Sequence, residues 1–465
     1  MASKSKRARL TPTRNHRNAF LYWSVIIFLV KVLISINIPT TVIDINKNSV
    51  LVKGIWLGSD GEGYIRGFYA LSQQGIFSTE SILNYWPAGY PIIIFLFSIF
   101  GSSWVFFTLS FLQSLIFSLA TYFFTIQVYK TRLKNYSYLI FILVLLNPTL
   151  SLNSLIIGYE SLTASGFLLA MGIIIKDLVE QNEKQFFRNL AASSIIFGIM
   201  IFMQPRLIIA GVLINLLWIF IRRGVKAKAL LVLFSIFLTL IFPSALIYRN
   251  NKSLGLNSIS TNLGVTMNIG AGDGATGGYM LEGYGVDCET YGTVVQQDSQ
   301  RVRCVLSWYL DNPTKSLKLF LNKSLFFWSP WINNGFLGED TIIGTNSRNP
   351  WLKVSPFTKM LADPQGEIIV NGSIGKLASW VWLLGGFFLM FYGYFLLWRE
   401  DFFLRLLGNI ALIAIGTNWL ISLISIGDHR FRIPIMGLSL FLQAIGLKTL
   451  LRGGKPAMVD GPALR

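Results

Sequence analysis

The hydrophobic positions of this chain do not alternate with polar ones; they run on. Ten continuous apolar stretches lie at about 19–38, 103–129, 137–155, 160–176, 189–204, 207–221, 229–248, 377–398, 402–426 and 433–451. A hydrocarbon core roughly 30 Å thick takes about 20 apolar residues per helix, and most of these runs approach that length. A shorter run, 91–100, is about half a bilayer long and reads as a re-entrant or interfacial piece. Backbone groups in lipid must bond internally, so such runs are helices or a closed barrel. Continuous rather than alternating hydrophobicity removes the barrel. The predicted fold class is an all-α polytopic membrane protein of about ten transmembrane helices. Two long polar regions interrupt it, at about 39–90 and 249–376.

Composition agrees. The chain is 53% hydrophobic and 13% charged, against about 25% charged in an ordinary soluble protein. Its formal charge is +18, from 40 Lys and Arg against 22 Asp and Glu. In a soluble protein that balance would suggest nucleic acid. Here it follows the positive-inside rule, so the bilayer is the expected partner and nucleic acid is not. With the N-terminus inside, the cytoplasmic joints should be basic, and they are. They carry Lys130, Arg132 and Lys134; Lys176, Lys184 and Arg188; Arg222, Arg223, Lys226 and Lys228; Arg399 and Arg405; Lys448, Arg452 and Lys455. Both termini are then cytoplasmic and both long polar regions lie outside. The joints near 147–160, 204–206 and 428–432 lie outside too. The basic start precedes the first apolar run, but no small-residue cleavage site follows it, so that run is kept as an anchor.

The two cysteines, Cys288 and Cys304, both fall in the second outside region. An oxidising compartment would let them pair; unpaired thiols remain the alternative until their Cα separation is known. No internal repeat of the kind carried by secondary transporters is visible. The glycine-rich run 270–278 reads as tight turns. It lacks the Lys-Ser/Thr of a phosphate-binding loop.

Candidate chemistry gathers at the outer surface. The first outer loop reads Trp56-Leu-Gly-Ser-Asp60-Gly-Glu62-Gly-Tyr64, and later Asn84-Tyr-Trp86-Pro87-Ala-Gly-Tyr90-Pro91. A carboxylate here can take the proton of an attacking hydroxyl, and Trp56, Tyr64, Tyr85 and Trp86 can stack on sugar faces. An acidic turn inside an interfacial aromatic belt explains the same residues. Arg206, Arg249, Arg430 and Arg432 sit at outer ends of spans, against the positive-inside trend. A guanidinium fork suits phosphate; snorkelling to lipid headgroups is the alternative. His429 is one of only two histidines. Lys31 lies inside the first span, where charged side chains are functional suspects or face the bundle.

The pattern Asp60-x3-Tyr64, then Ala70, Gly75 and Trp86-Pro-x-Gly-Tyr-Pro91, resembles the first outer loop of the GT-C superfamily of membrane glycosyltransferases. It is similar, more narrowly, to bacterial relatives of the dolichyl-phosphate-mannose protein mannosyltransferases and the lipid A aminoarabinose transferases. Gln204-Pro205-Arg206, Tyr248-Arg249-Asn250, Thr261-Asn262-x-Gly264 through Tyr279, Asn312-Pro313 with Lys323 and Phe327-Trp328, and His429 to Pro434 resemble later stretches of that family. The resemblance runs over about 56–440. The chain departs from it where Gly61 separates Asp60 from Glu62, at Gln204, and in a span count below the usual eleven to thirteen.

The resemblance implies a GT-C-type bundle in a bacterial inner membrane. It implies inverting transfer of a sugar from a polyprenyl phosphate to a glycan, lipid or protein acceptor on the extracytoplasmic face. Asp60 is carried over as the catalytic base, with Glu62 as its rival. Tyr64, Trp86, Glu160, Arg206, Arg249, His429, Arg430 and Arg432 become substrate-binding candidates. Glu160 is a candidate for acceptor or for a divalent cation; a favourable acid in a first helical turn is the plainer reading. No His/Cys/Asp cluster has metal-ligand spacing, so no cofactor is assigned and a divalent cation stays open. The division expected is a transferase module over 1–248 with its catalytic loop at 39–90, an outer region over 249–376, and C-terminal spans with a tail over 377–465. A flippase or transporter of lipid-linked saccharide, or a polysaccharide polymerase or ligase, are the competing functions.

Overall fold

The structure is a computed structural model and describes residues 14–43, 49–57, 60–101, 104–222, 227–279, 285–329, 341–342, 369–370 and 372–454. Its helices, in chain order, begin with α1 (Arg14–Ile36), α2 (Gly61–Gln74), α3 (Ile82–Tyr85), α4 (Gly89–Phe97) and α5 (Val105–Tyr129). Next come α6 (Ser137–Leu146), α7 (Pro148–Leu152), α8 (Glu160–Glu180), α9 (Glu183–Met203), α10 (Ile208–Ile221) and α11 (Lys228–Leu254). The second long polar region supplies α12 (Leu263–Ile269), α13 (Val294–Asp311) and α14 (Pro313–Trp328). The chain ends with α15 (Gly372–Arg399), α16 (Phe402–Ile424) and α17 (Ile433–Leu451). Among the described residues, strands are confined to two short antiparallel ladders, 39–43 with 49–53 and 341–342 with 369–370.

Eight helices among the described residues are long and apolar enough to cross a membrane, or nine if one bent pair counts as a span. The chain is an all-α polytopic membrane protein. All ten predicted runs are helical, with two qualifications. The run 137–155 is not one straight helix: it bends by 53° between Lys134–Leu146 and Pro148–Leu155. Pro148 lacks the N–H to continue a ladder, and Asn147 restarts the helix by accepting from the Leu150 N–H at 2.9 Å. The run 207–221 forms a short apolar helix, as does the half-length run at 91–100. The expected basic joint residues Arg223, Lys226 and Lys455 lie outside the described residues.

The bundle's centre is α17, most of whose side chains are buried. It meets α15 backbone to backbone. A Cβ on Gly393 would stand 2.0 Å from the Leu442 carbonyl oxygen, and one on Gly446 would stand 2.3 Å from that of Leu389. Small residues of this kind let membrane helices approach closely. Leu33, Phe237 and Val381 are more than half exposed, as expected of helix faces turned to lipid rather than water. Lys31 is buried against α5, its Nζ 4.2 Å from the centre of the Phe117 ring.

Cys288 and Cys304 form a disulfide, with Cα atoms 6.0 Å apart. It ties the loop before α13 to that helix. This polar region is fastened to the loop between α16 and α17. Lys323 donates to the Tyr309 hydroxyl at 2.7 Å and to the Ser425 carbonyl, while the Gly427 N–H donates to the Gly277 carbonyl at 2.9 Å. A Cβ at Gly427 would stand 2.3 Å from the Lys323 carbonyl oxygen. These contacts set the height of the turn at 428–432.

Candidate active site

Three segments distant in sequence meet at one end of the bundle. The first is the loop before α2. Its backbone is strapped to the loop before α8: the Trp56 N–H donates to the Leu155 carbonyl at 2.8 Å, and the Ile157 N–H to the Trp56 carbonyl at 2.9 Å. This one-residue parallel bridge carries Asp60 to the side of Glu160.

The second segment is that loop before α8. The Gly158 N–H donates to the Tyr90 hydroxyl at 2.9 Å, and Tyr90 donates to Gln113 Oε1 at 3.0 Å. Glu160 opens α8 with its carboxylate folded back over Gly158, where a Cβ would stand 2.2 Å from Oε2. Only glycine leaves room for that fold.

The third segment is the 3₁₀ turn His429–Arg432 at the head of α17. Asp428 caps it, its Oδ1 accepting from the Arg430 N–H at 2.9 Å. Arg430 then reaches across the site. Its Nη1 lies 2.7 Å from Asp60 Oδ2, and its Nε lies 3.8 Å from Glu160 Oε1. Arg206 lies with its guanidinium 3.8 Å from the centre of the Phe431 ring and donates to the Phe431 carbonyl at 3.5 Å. Asn418 donates to the same carbonyl.

Asp60, Tyr64, Glu160, Arg206 and Arg430 are therefore brought together. Tyr64 is buried beneath Asp60, its ring 5.0 Å from Tyr90 and 6.3 Å from Trp86. Trp86 packs over Gly63, where a Cβ would meet the indole Nε1 at 2.9 Å. Glu62, in the first turn of α2, is exposed, whereas Asp60 is paired. His429 is buried with Nδ1 3.2 Å from Asp428 Oδ1.

Two arginines lie elsewhere. Arg249 is a backbone clamp: it donates to the carbonyls of Ile76 at 3.0 Å, Leu83 at 3.4 Å and Ser78, and to Asn250 Oδ1 at 2.8 Å. It holds the stretch between α2 and α3 against the end of α11. Arg432 points away from Arg430 and donates to the Trp328 and Ser329 carbonyls at 2.8 and 3.3 Å. Residues not singled out in the sequence also matter. Tyr159, next to Glu160, is buried among the same charges. Asp428 carries the sequence signal of a cap two residues before Arg430. Tyr90 lies in the quoted Trp86–Pro91 stretch but was assigned no role there, and Gln113 carries no comparable signal.

Electrostatics reflect the crowding. Burial pushes the Tyr64 hydroxyl well above its ordinary value, and the Asp60 charge adds to this. Burial likewise pushes the Tyr159 hydroxyl up to about 12, against the lowering pull of Arg206. Both phenols stay neutral at physiological pH and can donate hydrogen bonds. Among the described residues no three His, Cys, Asp or Glu side chains converge as a metal cage. Arg430 already lies within ion-pair reach of both carboxylates.

Fold and site together define a multi-pass membrane protein with a charged, partly buried centre at one end of its helix bundle. No protein-family model matches the chain, and no curated protein sequence matches it. Among solved structures it is similar to the archaeal oligosaccharyltransferase AglB from Archaeoglobus fulgidus, in complex with an inhibitory peptide and a dolichol-phosphate. The likeness has a TM-score of 0.40 at 14% identity and covers 93% of this chain. The chain spans about half the length of that structure, 51%.

Proposed function

We propose that the protein is a glycosyltransferase that moves a sugar from a polyprenyl-phosphate donor to an acceptor hydroxyl at the extracytoplasmic end of the bundle. The observation that carries this reading is the Asp60–Arg430 pair, with Glu160 beside it and Arg206 on the neighbouring turn. Glycosyl transfer needs a base for the acceptor and cations for the leaving phosphate, and the cluster supplies both.

In this reading the donor phosphate competes with Asp60 for Arg430. Arginine forks grip phosphate strongly, so donor arrival draws the guanidinium off and frees the carboxylate. Asp60 then accepts the acceptor proton as general base. The acceptor oxygen forms its bond to the anomeric carbon from the opposite face. The carbon–oxygen bond to phosphate breaks, and its electron pair leaves with the lipid phosphate. Arg430 and Arg206 hold the charge that develops there, where low dielectric strengthens the interaction. Glu160 and the neutral Tyr64 and Tyr159 hydroxyls line the place for sugar or acceptor. The sugar and the acceptor, whether glycan, lipid or protein, are set by groups outside this pair.

The test is the fate of the donor. Proteoliposomes holding the full chain are given polyprenyl-phosphate sugar and an extract of envelope acceptors. Appearance of free polyprenyl phosphate together with a glycosylated product supports transfer. Donor that crosses the bilayer unconsumed identifies a flippase instead. Consumption only of lipid-diphosphate oligosaccharide identifies a polymerase or ligase.

A further inference from the structure

Beside the 429–432 turn, α6, α15 and α17 leave a groove of about 580 Å³ whose lining includes none of Asp60, Glu160, Arg206 and Arg430. Its walls are mostly apolar, including Leu143, Leu383, Phe387, Met436 and Leu440. That volume is in the range of sites built for small molecules. Along its edges Ile142, Leu146 and Trp382 are about half exposed, so it opens sideways.

The ends of the groove differ chemically. At the Asp60 end of the bundle it is lined by Arg432 and Trp328. Arg432 is buried and spends two bonds on backbone carbonyls, which leaves N–H groups of its five-donor fork for a ligand. Trp328 is 6% exposed, and its indole N–H has no hydrogen-bond partner among the described residues. A buried donor left unpaired costs about 1–3 kcal/mol, so an acceptor belongs there. Among the described residues no acidic side chain lines it. At the other end Gln443 closes the floor by donating to the Gly386 carbonyl at 3.2 Å.

Length decides what fits. From Arg432 to Gln443 is about 16 Å along a helix rising 1.5 Å per residue. That is about half of a hydrocarbon core roughly 30 Å thick. The groove therefore serves one leaflet. An acyl chain of a phospholipid in that leaflet matches it, whereas a polyprenyl tail extends well beyond.

The geometry points to a phospholipid site separate from the Asp60 centre. The phosphate sits on Arg432 and the Trp328 indole, and one acyl chain lies along α17 past Met436 and Ser439. The site requires only that the bundle sit in a bilayer, and it does not depend on the transferase reading. Through the short link from Arg432 to Arg430, an occupant would brace the turn that carries the arginine of the candidate active site.

Photolabelling tests it. The full chain is reconstituted in phosphatidylcholine vesicles containing phosphatidylglycerol with a diazirine in one acyl chain. Adducts are expected on 382–387 and 436–443, and unlabelled phosphatidylglycerol should compete them away. Arg432→Gln should lower this labelling about tenfold, the scale of a lost charge-assisted contact. Arg432 also ties down two carbonyls, so Gly386→Leu provides the cleaner variant. A Cβ there meets only Gln443 Nε2, at 3.3 Å, and the added side chain fills the groove. Labelling of these segments that survives Gly386→Leu overturns the proposal. So does competition by polyprenyl phosphate but not by phosphatidylglycerol, which would make the groove a donor site.

Discussion

Arg430 Nη1 stands 2.7 Å from Asp60 Oδ2, joining the loop before α2 to the head of the last helix. The pair is largely sheltered, with side-chain exposures of 14% and 17%. Breaking such a pair from one side leaves an uncompensated charge, while removing both sides does not. Arg430→Gln should therefore lower stability by about 3 kcal/mol. The double variant Asp60→Asn with Arg430→Gln should recover about 1–3 kcal/mol of that loss. Thermal unfolding in detergent measures both. Additive losses would mean that the two side chains do not couple.

Gly158 makes a sharper demand. A Cβ at this position would lie 2.2 Å from Glu160 Oε2, so Gly158→Ala must swing the carboxylate away from Arg430. Transfer should fall about tenfold to a hundredfold, the usual penalty for misplacing a positioned group. The Gly158 N–H to Tyr90 contact is unaffected, so unfolding should change by less than about 1 kcal/mol. A variant with normal turnover would show that Glu160 has no part in the reaction.

Much of the fold was legible in the chain. Each of the ten apolar runs became a helix because lipid leaves the backbone no other arrangement. The dipeptide Asn147-Pro148 carried the signal for the bend in the third run, though hydropathy alone smoothed over it. Less of the site was legible. Arg206, Arg249, Arg430 and Arg432 look alike as cations at outer ends of spans. Only tertiary contacts separate Arg430, which meets two carboxylates, from Arg249, which meets carbonyls. Asp60 stood ahead of Glu62 by resemblance alone; in the fold Asp60 meets Arg430 while Glu62 is exposed. Such pairings join distant segments, and no local pattern encodes them.

The Tyr159 hydroxyl supplies a pH signature. Burial raises it from 10.0 to about 12. Between those values the unfolded chain has lost the proton and the folded chain keeps it. Stability is therefore unaffected by this group below pH 10 and is lost as pH rises from 10 to about 12. Tyr159→Phe should make the alkaline decline shallower in that window. Parallel melting curves for the two proteins above pH 10 would contradict the assignment.

A chelator series separates the two readings of Glu160. With Arg430 within reach of both carboxylates, transfer should persist after EDTA treatment and should not rise with added magnesium or manganese. Loss of turnover on chelation, restored by one of those ions, would make Glu160 a metal ligand.

In the proposed reaction residue 60, rather than residue 62, takes the acceptor proton. Labelled sugar transferred from polyprenyl phosphate by reconstituted Asp60→Asn and Glu62→Gln proteins measures this directly. Removal of a general base predicts a fall of about a hundredfold or more for Asp60→Asn, with Glu62→Gln close to the parent. Equal activity in both variants, or a loss confined to Glu62→Gln, would contradict it.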